Sequence, residues 1–131
     1  MATAVELRDL GTAMRERGGL AYVLSVTDRA TPHVVQAEIR WDGQQLIAVV
    51  GARTAEHARC RSQLSLLFPA RNPEDYSLIV DAVATAITET GSFELALSPA
   101  RAVLHRPGPP PDPASSRCGS DCVPLSLPVS S

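Results

Sequence analysis

The segment GARTAEHARCRSQ, residues 51–63, carries the densest group of residues that could do chemistry. Arg53, Arg59 and Arg61 surround His57 in this segment, and the chain contains no lysine at all. Guanidinium groups suit bidentate contacts with phosphate oxygens. The residue types therefore fit the binding of an anion such as a phosphate group.

The same segment predicts a short helix over residues 54–62. Thr54 is a good N-cap residue, and the first turn after it would offer free backbone amides and the positive end of the helix dipole. His57 and Arg61, four positions apart, would share one helix face. A phosphate could then meet the amides, the Thr54 hydroxyl and the guanidinium groups of Arg53 and Arg61. The plainer alternative is that Thr54 only caps the helix and the arginines form a solvated face.

Most of the remaining chain predicts β-strands. An N-terminal helix has Thr3 and Glu6 at capping-box spacing and ends at Gly18-Gly19. After it, apolar residues alternate with a period of two. In residues 33–41 this alternation predicts one face with Val35, Ala37, Ile39 and Trp41 and the opposite face with Val34, Gln36, Glu38 and Arg40. The dipeptide Asp42-Gly43 is a strong hairpin signal, because it sits between two such runs. Strands are expected over residues 20–27, 33–41, 44–51, 63–68, 76–88 and 92–98, the last continuing through Pro99 to Arg106.

Antiparallel strands joined by short turns favour a closed barrel, because closure removes exposed strand edges. We therefore predict a mainly β fold over residues 1–106: a six-stranded antiparallel barrel with an N-terminal helix and one short helix between strands. Residues 107–131 hold most of the prolines and are expected to form an extended tail. Within this tail, Cys118 and Cys122 could be incidental, form a reversible disulfide or contribute to a metal site.

Composition limits the partners and the location of the protein. The chain has 131 residues, enough for one domain, and a net charge of −2, so no basic field attracts nucleic acid or anionic membranes. No apolar run approaches the roughly 18–20 residues that span a bilayer. The N-terminus lacks a secretory signal pattern, and three cysteines is an odd number. These observations predict a cytoplasmic protein with reduced thiols.

The order of the predicted elements resembles the flavin-binding split barrel of the pyridoxamine 5′-phosphate oxidase-like family. The resemblance covers roughly residues 3 to 105. AYVLSVTDRATPHVVQAEIRWDGQQLIAVVG resembles the first three strands of that family. ARTAEHARCRSQLSLLFP resembles its phosphate-binding segment, and DYSLIVDAVATAI resembles the strand that follows.

The resemblance implies a homodimer with flavin sites at the subunit interface. The implied cofactor is FMN or the deazaflavin coenzyme, with its ring along the second and third strands. The cofactor-binding residues implied in this chain are Arg53, Thr54, His57 and Arg61 for the phosphate and Val35, Gln36, Val49 and Val50 near the ring.

The chain also departs from the family pattern. Arg53 or Arg59 must replace the usual lysine, and the residues that bind substrate phosphate near the C-terminus of true pyridoxamine 5′-phosphate oxidases have no counterpart. The expected function is therefore a flavin- or deazaflavin-dependent oxidoreductase that acts on another small organic molecule, with its catalytic residues unknown. The alternatives are a non-catalytic protein that binds flavin or haem, and a redox- or metal-responsive protein that uses Cys118 and Cys122.

Overall fold

The structure of the protein is a computed structural model that describes residues 2–107. This part of the chain forms seven strands and two helices. The predicted tail, with Cys118 and Cys122, lies outside the described residues. In chain order the elements are β1 Ala2–Ala4, α1 Leu7–Glu16, β2 Leu20–Val26, β3 Pro32–Trp41, β4 Leu46–Val50, α2 Ala52–Cys60, β5 Gln63–Phe68, β6 Ser77–Glu89 and β7 Phe93–His105.

Six of the strands form a closed antiparallel barrel in the order β7-β4-β3-β2-β5-β6, and β6 pairs with β7 to close it. The closing pair is the longest, with its register running from Ser77 opposite His105 to Glu89 opposite Phe93. The predicted fold class, a six-stranded barrel with two helices, is confirmed. The structure adds β1, a short strand paired with β7.

The alternation of residues along each strand decides which side chains fill the barrel. On β3, Ala37 and Ile39 are buried, whereas Glu38 and Arg40 are exposed. The two faces of this strand were predicted correctly, since a period of two separates inward from outward positions. The largest fully buried side chains are Phe68, Leu10, Leu46, Leu66, Leu78, Leu95 and Leu97. Each contributes on the order of 1.5–3 kcal/mol relative to an exposed position.

Helix α1 differs from its prediction at the N-terminus. The capping box of Thr3 and Glu6 does not form, because Thr3 belongs to β1 and pairs with Leu104. Glu6 is the N-cap residue and makes no side-chain cap hydrogen bond. The predicted C-terminus is confirmed: Gly18 and Gly19 have φ angles of 89° and 73°, which glycine adopts without a steric penalty. Within residues 2–107, neither helix combines the length and apolar character needed to cross a membrane.

The predicted hairpin at Asp42-Gly43 is present, but its connection has four residues rather than two. Gly43 has a φ of 99°, and Asp42 is not among the residues with positive φ. Instead, the Asp42 carboxylate accepts hydrogen bonds from the backbone amides of Gln44 (2.8 Å) and Gln45 (2.6 Å). The Gln45 and Gln44 amides hold the pKa of Asp42 below its usual value. The aspartate therefore stabilises the turn as an acceptor.

Gly11 allows α1 to approach Trp41 closely. A Cβ atom at residue 11 would lie 2.7 Å from Cδ1 of the Trp41 indole. This separation is below any normal van der Waals contact, so either the helix or the indole would have to shift. The glycine is therefore needed for packing, although it sits in a helix interior where alanine is intrinsically more favourable.

We predict that Gly11→Ala lowers the free energy of unfolding by about 1–3 kcal/mol, the cost typical of overpacking. Without the clash, the same change would stabilise the helix by roughly 0.5–1 kcal/mol. Urea unfolding followed by circular dichroism measures the difference. Thr12→Ala, at the neighbouring exposed position, is the matched control and should change stability little. A Gly11→Ala protein as stable as the wild type would contradict the packing argument.

Candidate anion site at the start of helix α2

Helix α2 lies across one end of the barrel. It follows β4 after Gly51 and packs against β2, β6 and β7. Thr54, Ala55 and Ala58 are its buried residues. Ala55 and Ala58 belong to the hydrophobic core cluster, so α2 is held in place by the core.

The predicted N-cap at Thr54 is wrong. The helix begins at Ala52, with Gly51 as the N-cap residue in an extended conformation. The Ala55 amide donates to the Gly51 carbonyl at 3.1 Å, which places the first helical hydrogen bond earlier than the sequence suggested. Thr54 is consequently inside the first turn and only 2% exposed. At this burial the Thr54 side chain offers almost no surface to a ligand in solvent.

The first turn of α2 nevertheless has the properties of an anion site. Gly51 supplies no side-chain cap, and the first turn contains no acidic residue. The amides of residues 52–54 therefore lack intrahelical partners and carry the positive end of the dipole. Arg53 is exposed and makes no hydrogen bond or ion pair with any other residue in the range 2–107. Three backbone donors and one available guanidinium group thus lie together.

His57 is engaged with the barrel. Its Nδ1 lies 3.1 Å from the hydroxyl oxygen of Ser25, which is 2% exposed. Its ring packs edge-to-face against the ring of His33. The two ring centroids are 4.7 Å apart, and the angle between the ring planes is 85°. The Nε2 of His33 is buried and has no hydrogen-bond partner among the described residues. His57 therefore ties α2 to the β2–β3 hairpin, and only its other ring nitrogen remains for a ligand.

Arg61 also contacts the β2–β3 hairpin. The prediction that it shares a helix face with His57 is wrong, because α2 ends at Cys60 and Arg61 has an extended backbone. Its guanidinium group donates to the carbonyl oxygens of Thr27 (3.2 Å) and Asp28 (3.5 Å) in the turn between β2 and β3. Arg61 is thus committed to backbone acceptors.

The strand residues predicted to lie near a flavin ring divide between two faces. Gln36 on β3 and the half-buried Val49 on β4 point outward, whereas Val35 and Val50 point toward the core. A ligand on the outer face could meet the first two side chains but only the backbone of the other two. This follows from strand alternation, which cannot place neighbouring residues on one surface.

Val49 lines an outer cleft of about 390 Å³ together with Gly18, Gly19, Leu20, Glu38, Ile39, Arg40 and Ile47. Arg40 forms a 3.2 Å ion pair with Glu94 beside it. Two residues after Val49 the chain reaches Gly51 and the start of α2. Strand β4 therefore leads directly from this cleft to the anion site.

Sequence reasoning missed the contribution of the β2–β3 hairpin. Ser25 does have a local signal, since it shares its inward parity with Ala21 and Val23 on β2, and a serine in that position needs a polar partner. The Thr27 and Asp28 carbonyls that accept from Arg61 have no such signal, because any residue type supplies a carbonyl.

Two mycobacterial proteins are similar to the whole chain. Mb0449c of Mycobacterium bovis and MT0457 of Mycobacterium tuberculosis are each 33% identical over 141 aligned residues, which cover 97% of this chain and 99% of theirs. No protein-family model matches the chain.

Several solved structures have a similar fold. An F420 reductase has a TM-score of 0.58 and 13% identity, covering 66% of this chain and 90% of its own. An FAD-binding protein from Mesorhizobium loti has a TM-score of 0.60 and 12% identity, covering 79% and 96%. A protein of the pyridoxinephosphate oxidase family from Clostridium acetobutylicum has a TM-score of 0.61 and 11% identity, covering 78% and 91%. The haem storage protein HutZ of Vibrio cholerae has a TM-score of 0.58 and 15% identity, covering 73% and 91%.

At these low identities the structural matches establish the fold and not the ligand, whereas the sequence identity to the mycobacterial proteins extends over nearly the full length. The chain therefore belongs to one family with Mb0449c and MT0457, and it has the split-barrel fold of the pyridoxamine 5′-phosphate oxidase-like proteins.

Proposed function

We propose that the protein binds a phosphate-bearing flavin-type cofactor, FMN or the deazaflavin coenzyme, and is an oxidoreductase that acts on a small organic molecule. The observation that carries this proposal is the uncapped first turn of α2 with the available Arg53 beside it. The fold adds support, since its solved examples include an F420 reductase and an FAD-binding protein.

The residues present fit a phosphate group. A phosphate carries negative charge and strong acceptor oxygens, while the α2 terminus offers backbone donors, a positive dipole end and no competing carboxylate in its first turn. Arg53 and the amides of residues 52–54 would hold this phosphate. The cofactor ring would then extend along β4, with Gln36 and Val49 on the outer face.

His57 and Arg61 have a positioning role in this proposal. They fix α2 against the β2–β3 hairpin through Ser25, Thr27 and Asp28, so the free amides keep their orientation. A preorganised site loses less entropy when it binds a ligand.

When bound, the cofactor would supply the hydride chemistry that the side chains lack. The protein would bind and orient it and exclude water from one side of the ring. No catalytic side chain is assigned in this chain. The same proposal places the protein in the cytoplasm, where reduced nicotinamide or deazaflavin donors are found.

A homodimer is part of the proposal. The outer surface of β2 and β3 exposes four large apolar side chains: Leu20 (42%), Tyr22 (39%), Leu24 (36%) and Val34 (53%). Leu24 and Val34 are directly opposite each other in the β2–β3 register. We name these four residues the β2 face. Such contiguous exposed apolar area is typical of an interface, and a second copy of the chain would cover it.

Haem binding is less favoured than flavin binding. The Nε2 atom of His33 lacks a protein partner, which could suggest an axial ligand for iron. That atom is enclosed by protein, however, so an iron centre would have to displace the surrounding side chains to reach it. The anion site requires no such rearrangement.

We predict that Arg53→Ala weakens FMN binding by about 1.5–3 kcal/mol, roughly tenfold to 150-fold, the contribution of a charge-assisted hydrogen bond. Fluorescence titration of the purified protein gives the Kd. Arg59→Ala is the matched control, because Arg59 lies on the same helix but pairs with Glu56 at 3.3 Å, and its Kd should stay near the wild-type value. Equal Kd values for Arg53→Ala and wild type would refute this placement of the phosphate.

We predict that Leu24→Asp converts the dimer to a monomer, because it places a charge in the middle of the apolar β2 face. Light scattering after gel filtration measures the mass. Leu7→Asp changes an equally apolar residue, 54% exposed, at the start of α1, and this control should remain dimeric. A wild-type protein that is monomeric, or a Leu24→Asp protein that is still a dimer, would exclude the β2 face as the interface.

A further inference from the structure

A second cleft, of about 460 Å³, lies on the outside of the barrel and is separate from the first turn of α2. Its lining residues come from strands β2, β3, β5, β6 and β7. Seven of its eleven lining residues are apolar, among them Pro32, Val83, Ala100 and Leu24, which also belongs to the β2 face. The polar lining residues are Ser25, Gln63, Ser65 and Asp81. A largely apolar cleft with few converging polar groups is the usual form of a small-molecule site.

Asp81 is the charged group in this cleft. Its Oδ1 accepts a 2.8 Å hydrogen bond from the Ser65 hydroxyl, which fixes the carboxylate in one orientation. Its Oδ2 lies 3.7 Å from Nη1 of Arg101, longer than a direct charge-assisted hydrogen bond of about 2.7–2.9 Å. A carboxylate has about four acceptor positions, so Asp81 retains capacity for another donor.

The backbone is irregular beside this carboxylate. The β6–β7 register passes from Asp81 opposite Arg101 to Ala82 opposite Pro99, which leaves Ala100 as an extra residue in β7. Pro99 has no backbone N–H and so fits such a break in the ladder. Bulges of this kind redirect side chains and are common beside binding sites. The extra residue of this bulge, Ala100, lines the cleft, and the next residue, Arg101, makes only the long 3.7 Å contact with Asp81.

We propose that this cleft binds a small molecule with an apolar body and a primary ammonium group. The apolar side chains would cover the body, and the ammonium group would donate to Asp81. An ammonium group offers three donors and no acceptor, which complements a carboxylate already oriented by Ser65. Arg101 would compete with the ligand for the same oxygen. The proposal does not depend on cofactor binding, because Arg53 and the start of α2 take no part in it.

The test uses the full chain without any flavin and three probes of the same shape: phenethylamine, 2-phenylethanol and 3-phenylpropionate. Isothermal titration calorimetry compares their affinities. We expect phenethylamine to bind about tenfold or more tightly than the neutral and anionic probes, because only its ammonium group can donate a charge-assisted hydrogen bond to Asp81. Three equal affinities, or no binding of phenethylamine, would overturn the proposal.

Two variants identify the residues responsible. Asp81→Asn keeps the shape and an acceptor for Ser65, and it should abolish the preference for the amine. Arg101→Gln removes the competitor from an exposed position and should strengthen amine binding severalfold. Retention of the preference in Asp81→Asn, or weaker amine binding in Arg101→Gln, would contradict the assignment. Arg101→Gln decides the question even if Asp81→Asn does not fold.

Glu94→Gln is the matched control. Glu94 also forms an ion pair between strands, with Arg40, and neither residue lines this cleft. The substitution therefore removes one carboxylate charge away from the proposed site. We expect its amine affinity to equal that of the wild type. An equal loss in Glu94→Gln and Asp81→Asn would show a general effect of net charge and would overturn the site.

Discussion

The pairing of β6 with β7 is the constraint on which the rest of the molecule depends, because it converts a curved sheet into a closed barrel. Closure gives the backbone groups of both strands hydrogen-bond partners and separates an apolar interior from the solvent. The inward side chains of β4 to β7, such as Leu46, Leu66, Leu78 and Leu95, then become fully buried. Closure also leaves open barrel ends, and α2 covers one of them.

The way α2 is anchored determines how the positive charge of its segment is used. Arg61 donates to backbone carbonyls of the β2–β3 turn, Arg59 pairs with Glu56, and His57 contacts Ser25. Of the four basic side chains in this segment, Arg53 is the one that makes no hydrogen bond or ion pair with other residues in the range 2–107. A cluster that looks uniformly basic in the sequence is therefore mostly structural, and one guanidinium group remains for a ligand.

Features that have a local sequence signal, such as residue periodicity or a glycine pair, were predicted correctly. Alternation along β3 identified the inward positions correctly, and the Gly18-Gly19 end of α1 followed from the conformational freedom of glycine. Sequence prediction failed for β1, since three residues are too short for a periodic signal, and their pairing partner, Val103 to His105, is about a hundred positions away. It also failed at the start of α2, where glycine and threonine have similar N-cap preferences and the sequence offers both Gly51 and Thr54. The burial of Thr54 inside the helix decides between them. The Ser25–His57 contact joins two segments that no local pattern connects.

We propose that the first turn of α2 binds the phosphate of a flavin-type cofactor. The most direct measurement compares the affinities of the wild-type protein for FMN and for riboflavin, which has the same ring system and no phosphate. If the free amides and Arg53 form the site, FMN binds about tenfold or more tightly than riboflavin, and the difference shrinks as ionic strength rises. Equal affinity for the two compounds would show that the phosphate is not bound at the first turn of α2.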